Sequence, residues 1–155
     1  MTVTPAIAAI VEIEKYYPVG PDRVFAAWAS AEAMLAWSAP PEGWTMHCDA
    51  FALAVGHTDE WRFGLVGETP YINRNQYSAI EPGRRIAYTT TLSHGDRLEF
   101  AGAVCVTFDA VPDGCRLTCI ETGIHLDHDD REGHLDGWNG MLDALGAYLV
   151  QPADA

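Results

Sequence analysis

The side chains best suited to chemistry gather in one stretch of this 155-residue chain. Residues 123 to 136, GIHLDHDDREGHLD, hold His125, His128 and His134 among Asp127, Asp129, Asp130 and Asp136, and Glu121 stands just before them. Imidazoles beside carboxylates can move protons near neutral pH or hold a metal ion. The spacing argues against metal, because no two histidines stand four apart as a helix-borne zinc motif requires, and no HExxH occurs. Acidic residues here suit the first turn of a helix, whose dipole favours negative charge, with Asp127 or Asp129 as its N-cap. We therefore expect no metal and no cofactor, and look for acid-base chemistry only at Glu121 and His134. A nucleophile elbow, a phosphate loop and a dinucleotide fingerprint are all missing from the sequence.

What Glu121 faces depends on strand register, since a slip of one residue turns every side chain to the other face. From Trp44 to Ile124, turn signals at PPEG, AVGHTD, EPGR and VPDG separate alternating or β-branched segments, which reads as an antiparallel meander of about six strands. A four-residue turn over Val111 to Gly114 pairs Phe108 with Leu117, Val106 with Cys119 and Val104 with Glu121. Glu121 then lies on the apolar face, where burial would push a carboxylate toward protonation. The plain alternative is a strand end at the solvent-facing rim. A four-residue turn over Glu81 to Arg84 pairs Ala79 with Ile86 and Tyr77 with Tyr88.

The elements on either side follow from periodicity. Ile7 to Tyr17 reads as a strand, Pro21 starts a helix carrying Val24, Phe25 and Trp28, and Ser30 caps a second one bearing Met34, Leu35 and Trp37. In GHLDGWNGMLDALGAYLV, Trp138, Met141, Leu142, Leu145 and Leu149 form an apolar helical stripe with His134 on its edge. Gly133, Gly137, Gly140, Ala144 and Ala147 cluster opposite it, as a solvent face or as a surface for close approach of a second chain in a homodimer.

Composition bounds the function. One domain over residues 1–155 is expected, large enough to bury a core. A net charge of −13 repels phosphate backbones and anionic membranes, so we expect no nucleic acid and no membrane as partner. The opening MTVTPAIAAIVEIEK carries no signal-peptide pattern and is too short to span a bilayer, which points to the cytoplasm. Cys48, Cys105, Cys115 and Cys119 lack CxxC spacing and read as reduced thiols.

Four segments in order carry a family resemblance: VGPDRVFAAWASAEAMLAW, IEPGRRIAYTT, VCVTFDAVPDGCRLTC and GWNGMLDALGAYL. Together they resemble the SRPBCC (START-like, polyketide-cyclase-like) superfamily, in particular the homologues of the activator of the heat-shock-protein-90 ATPase. One departure is VGHTDEWRFG, with His57 where that family often has the second of two glycines. The resemblance implies an α+β helix-grip fold, β-α-α-β6-α, whose curved antiparallel sheet wraps around the C-terminal helix. It also implies a cavity between them for a small hydrophobic or amphipathic molecule.

Residues expected to converge on that cavity are Trp61, Phe63, Tyr77, Tyr88, Val104 and Val106 from the early and middle strands. Phe108, Leu117, Cys119 and Glu121 join them from the last hairpin, and His134, Trp138, Met141, Leu142 and Leu145 from the final helix. Such residues either leave a ligand-sized space or close-pack without one. Two further functions follow by resemblance: a cyclase-like or dehydratase-like enzyme in which Glu121 or His134 handles protons, and a co-chaperone binding the heat-shock chaperone.

Overall fold

The computed structural model describes residues 6–38 and 40–151; the first five residues of the opening apolar run lie outside them. The elements are β1 (Ile7–Tyr17), α1 (Pro21–Ala26), α2 (Ala31–Ser38), β2 (Trp44–Ala50), β3 (Thr58–Leu65), β4 (Tyr71–Glu81), β5 (Arg85–His94), β6 (Arg97–Val111), β7 (Gly114–His125) and α3 (Arg131–Leu149). This is the expected β-α-α-β6-α order. The seven strands form one antiparallel sheet in the order β1-β7-β6-β5-β4-β3-β2. One face is covered by the helices, with α3 against β1 and α2.

Local chemistry explains the boundaries. Pro21 opens α1, where its missing N–H costs nothing. The Ser30 hydroxyl accepts from the Ala33 N–H at 3.1 Å and caps α2. The cap of α3 is Asp130, not Asp127 or Asp129: its carboxylate accepts from the Gly133 N–H at 2.7 Å. Asp127 instead takes φ 50 in the loop before the helix, and Asp129 is drawn off to two histidines. The turn that has His57 in place of a second glycine takes its positive φ, 88°, at Gly56 and so tolerates the substitution.

The β6–β7 hairpin has the expected register: Phe108 faces Leu117, Val106 faces Cys119 and Val104 faces Glu121. The β4–β5 hairpin needs a correction. Ala79 pairs with Ala87, not Ile86, because Glu81 already pairs with Arg85 and the loop is one residue tighter. A bulge between Tyr77 and Ala79 restores the count, so Tyr77 still lies opposite Tyr88.

Side chains on the helix-facing side of the sheet therefore line up in rows across strands. One row runs Tyr77, Tyr88, Val104, Glu121, Val11; the next toward the β6–β7 turn runs Ile86, Val106, Cys119, Ile13. That second row and everything beyond it are close-packed. Val106, Leu117, Cys119, Leu142 and Leu145 have no exposed surface, and Phe108 stands edge-on to Phe25 at 5.5 Å. The Tyr17 hydroxyl donates to the Leu142 carbonyl at 2.8 Å and ties β1 to the middle of α3.

Candidate functional site

Toward the other end of the sheet the packing opens. Beyond the row of Tyr88, Val104 and Glu121 lies one with two glycines, Gly102 and Gly123, facing each other on β6 and β7. A Cβ at either would meet the other's Cα at 2.8 Å and the Phe100 ring at 2.9 or 2.6 Å. The missing side chains leave a hollow in which the Phe100 ring lies, beneath His125 and His134 at centroid distances of 4.7 and 4.5 Å. Above Phe100, between the sheet and the first half of α3, is a cavity of about 320 Å³.

Its wall is mostly aromatic and aliphatic. Trp28 comes from the turn after α1, which ends at Ala26 and so does not carry it as expected; Met34 and Trp37 come from α2, Met46, Trp61 and Phe63 from β2 and β3, and Trp138 and Met141 from α3. Trp28 stacks on Trp138 at 6.4 Å, and its Nε1 is buried with no hydrogen-bond partner among the described residues. Polar groups enter at two places.

The first is a closed ring on β4 and β5. Thr90 Oγ1 donates to Asn75 Oδ1 at 2.6 Å, Asn75 Nδ2 to Asn73 Oδ1 at 3.1 Å, and Asn73 Nδ2 to Thr90 Oγ1 at 2.9 Å. Asn73 uses its second N–H on the Thr91 carbonyl, whereas Asn75 donates only to Asn73 and keeps one amide hydrogen free to bond elsewhere.

The second is Glu121. It is 6% exposed and lies on the cavity wall, not at a solvent-facing rim. Its Oε2 accepts from Trp138 Nε1 at 3.0 Å and its Oε1 meets His134 Nδ1 at 2.6 Å. The other nitrogen of His134, Nε2, meets Asp129 Oδ1 at 2.8 Å, and Asp129 Oδ2 meets His125 Nδ1 at 2.6 Å. Ionised carboxylates offer only lone pairs, so a ring held between two of them donates from both nitrogens and carries charge. Burial alone would lower the His134 imidazole, but the Glu121 and Asp129 carboxylates outweigh it and hold it above the usual 6.5.

A third buried carboxylate, Asp59, lacks such pairing. It accepts from the Tyr77 hydroxyl at 2.5 Å and the Ala52 N–H at 3.2 Å, while His57 Nε2 approaches to 3.4 Å without hydrogen-bond alignment. Burial pushes its carboxyl above the ordinary aspartate value.

Of the residues expected at the cavity, Trp61, Phe63, Tyr88, Val104, Glu121, His134, Trp138 and Met141 line it. Tyr77, Val106, Phe108, Leu117, Cys119, Leu142 and Leu145 do not. They are buried in the filled half, apart from Tyr77, whose hydroxyl turns to Asp59. Gly133 and Gly137 border the cavity mouth instead of lying opposite the stripe, whereas Gly140 faces open space. Sequence reasoning missed the Asn73, Asn75 and Thr90 ring. Its signal was the placement of Asn73 and Asn75 four and two residues before Tyr77, on the same strand face. It also missed Phe100 and the contribution of α2 and the turn before it. Among the described residues no helix is long and apolar enough to cross a membrane.

Comparison with known proteins agrees with this architecture. Residues 18–150 match the family model described as Activator of Hsp90 ATPase homolog 1-like protein. The crystal structure of the Mll3558 protein from Rhizobium loti is similar at 30% identity and a TM-score of 0.83, over 94% of this chain and 99% of that one. A protein from Rhizobium leguminosarum aligns at 27% identity and TM-score 0.84, over 96% and 98%. An AHSA1-like protein from Aeromonas hydrophila, at 20% identity and TM-score 0.70 over 91% and 92%, shares the fold. None of the curated proteins matches the chain significantly.

Proposed function

The chain belongs to the Activator of Hsp90 ATPase homolog 1-like family, and from that premise we propose that it binds a small, largely apolar molecule with a hydrogen-bonding end beneath the first half of α3. The observation that carries this reading is the space of about 320 Å³, walled by aromatics, in a protein whose other half is close-packed. That volume lies at the small end of the usual range for ligand sites, and a few polar groups in an apolar wall are how such sites fix orientation.

The polar groups define what the ligand must offer. Glu121 already accepts from Trp138 and His134, and a carboxylate has lone pairs to spare for a ligand O–H or N–H. The spare Asn75 N–H would take an acceptor. A flat, one- or two-ring molecule with a hydroxyl or amine at one end and a carbonyl at the other satisfies both. Native mass spectrometry of protein from its own host, with a thermal-shift screen of such compounds, tests the reading. A retained or stabilising ligand of this type is expected; repeated absence of any ligand, with no compound raising Tm, would defeat it.

A second reading, acid-base catalysis in the same cavity, is favoured by the 2.6 Å contact between Glu121 and His134 at its wall. Its mark would be turnover whose pH limbs move in Glu121→Gln. A chaperone-binding role has the family description behind it and no residue of this site, so it ranks below both.

A further inference from the structure

His134 connects the cavity wall to two residues that do not line it, His125 at the end of β7 and Asp129 in the loop before α3. From this cluster we infer a binding site for one divalent first-row transition ion of the zinc class, with His125 Nδ1, Asp129 and His134 Nε2 as ligands. The three ligand atoms lie within 4.8 Å of one another. Around a tetrahedral ion with bonds of about 2.1 Å, neighbouring ligand atoms stand about 3.4 Å apart. The observed contacts of Asp129 with the histidines, 2.6 and 2.8 Å, fall just below that separation. Admitting the ion requires the Asp129 carboxylate to part from the two imidazoles by about 0.6–0.8 Å.

Two features set this cluster apart from an ordinary surface salt bridge. His134 is oriented from behind by Glu121, which holds Nδ1–H while Nε2 points at Asp129. A carboxylate on the far nitrogen is the outer-shell arrangement that fixes tautomer and ring plane in histidine metal sites. In addition, Phe100 supports both imidazole rings from below, seated over the paired glycines. The two rings are therefore held before any ion arrives. The site is covered without being sealed, since the Asp129 and His134 side chains each keep 12% exposure.

The protons balance simply. His134 releases its Nε2 proton to solvent and gives that lone pair to the ion, keeping Nδ1–H for Glu121. His125 moves its proton from Nδ1 to Nε2 and so frees the ligating nitrogen. Imidazole and carboxylate donors suit zinc, cobalt, nickel or iron better than calcium or magnesium. The spacing that argued against metal in the sequence concerned ligands on one helix; here they come from a strand end, a loop and a helix. The inference is independent of what the cavity holds.

Chelator-treated protein titrated with zinc against a chromogenic competitor, and with cobalt(II) followed by its visible absorption, tests the site. Expected are one equivalent bound at sub-micromolar Kd and cobalt bands of a four- or five-coordinate ion. Both should be lost in His125→Ala and in Asp129→Asn, and Glu121→Gln should weaken binding about 10–100-fold. His47→Ala and His128→Ala, at exposed histidines, should change nothing. Circular dichroism identifies any variant that fails to fold; Asp129→Asn, which keeps the side-chain shape, then carries the reading. Zinc held as tightly by folded Asp129→Asn as by the wild type would overturn the inference, as would loss of binding with either exposed histidine.

Discussion

The two halves of α3 present one continuous apolar stripe to the sheet, yet they lie over different surfaces. The second half, through Leu142, Leu145 and Leu149, joins Phe108, Leu117 and Tyr17 in a buried apolar core. The first half, through His134, Trp138 and Met141, meets Glu121, Phe100 and the Asn73, Asn75 and Thr90 ring across an open space. The boundary falls between two valines on one strand face, Val104 at the cavity and Val106 in the core. Helical periodicity says which side of α3 turns inward; what the sheet puts beneath that side decides whether the contact is packing or a site.

That contrast sets the size of each substitution. Leu145→Ala should destabilise the protein by about 2–5 kcal/mol, since a fully buried leucine leaves a void among rigid neighbours. Met141→Ala, half-buried at the cavity, should cost well under half as much in the same denaturant titration. Equal losses would erase the distinction between the halves.

Next in size is Glu121→Ala, which strands the buried Trp138 N–H and removes one carboxylate from His134; about 1–3 kcal/mol should be lost. The same strand's Thr122→Ala, at an exposed position, should be nearly neutral.

A smaller effect appears with pH in protein stripped of metal. The folded His134 value is raised, so its stabilisation is fully present below 6.5 and is lost as pH climbs through the folded value. Tm should fall over that window by more in the wild type than in Glu121→Gln. Parallel curves would mean that His134 carries no such linkage.

Smallest is Gly137→Ala, where an added Cβ meets nothing within 4 Å and the helix gains propensity; a gain of up to about 1 kcal/mol is expected. Loss of stability there would place a neighbour where the cavity mouth is open.

Much of this was legible in the residues. The Pro112-Asp113 turn leaves the β6–β7 pairing a single register compatible with an apolar inner face, and Glu121 followed from it. The Tyr77–Tyr88 pairing came out right through two offsetting features, a shorter loop and a bulge, neither of which alternation reveals. Depth was not legible at all. Val104 and Val106 are identical in type and face, yet Val104 borders the cavity and Val106 has no exposed surface, because different elements lie over them. The link from His125 through Asp129 to His134 was set aside on helix spacing, a rule that does not reach residues joined across a loop.

The decisive measurement is a titration of 1-aminoanthracene, a neutral aromatic amine whose fluorescence rises in apolar surroundings, against wild type and Val104→Phe, with Val106→Phe as the filled-core counterpart. An open cavity gives saturable one-to-one binding to the wild type. It also gives lost binding but near-wild-type stability for Val104→Phe, while Val106→Phe loses about 1–3 kcal/mol to overpacking. No saturable binding, with both phenylalanines equally destabilising, would mean that the space beneath the first half of α3 is as full as the rest.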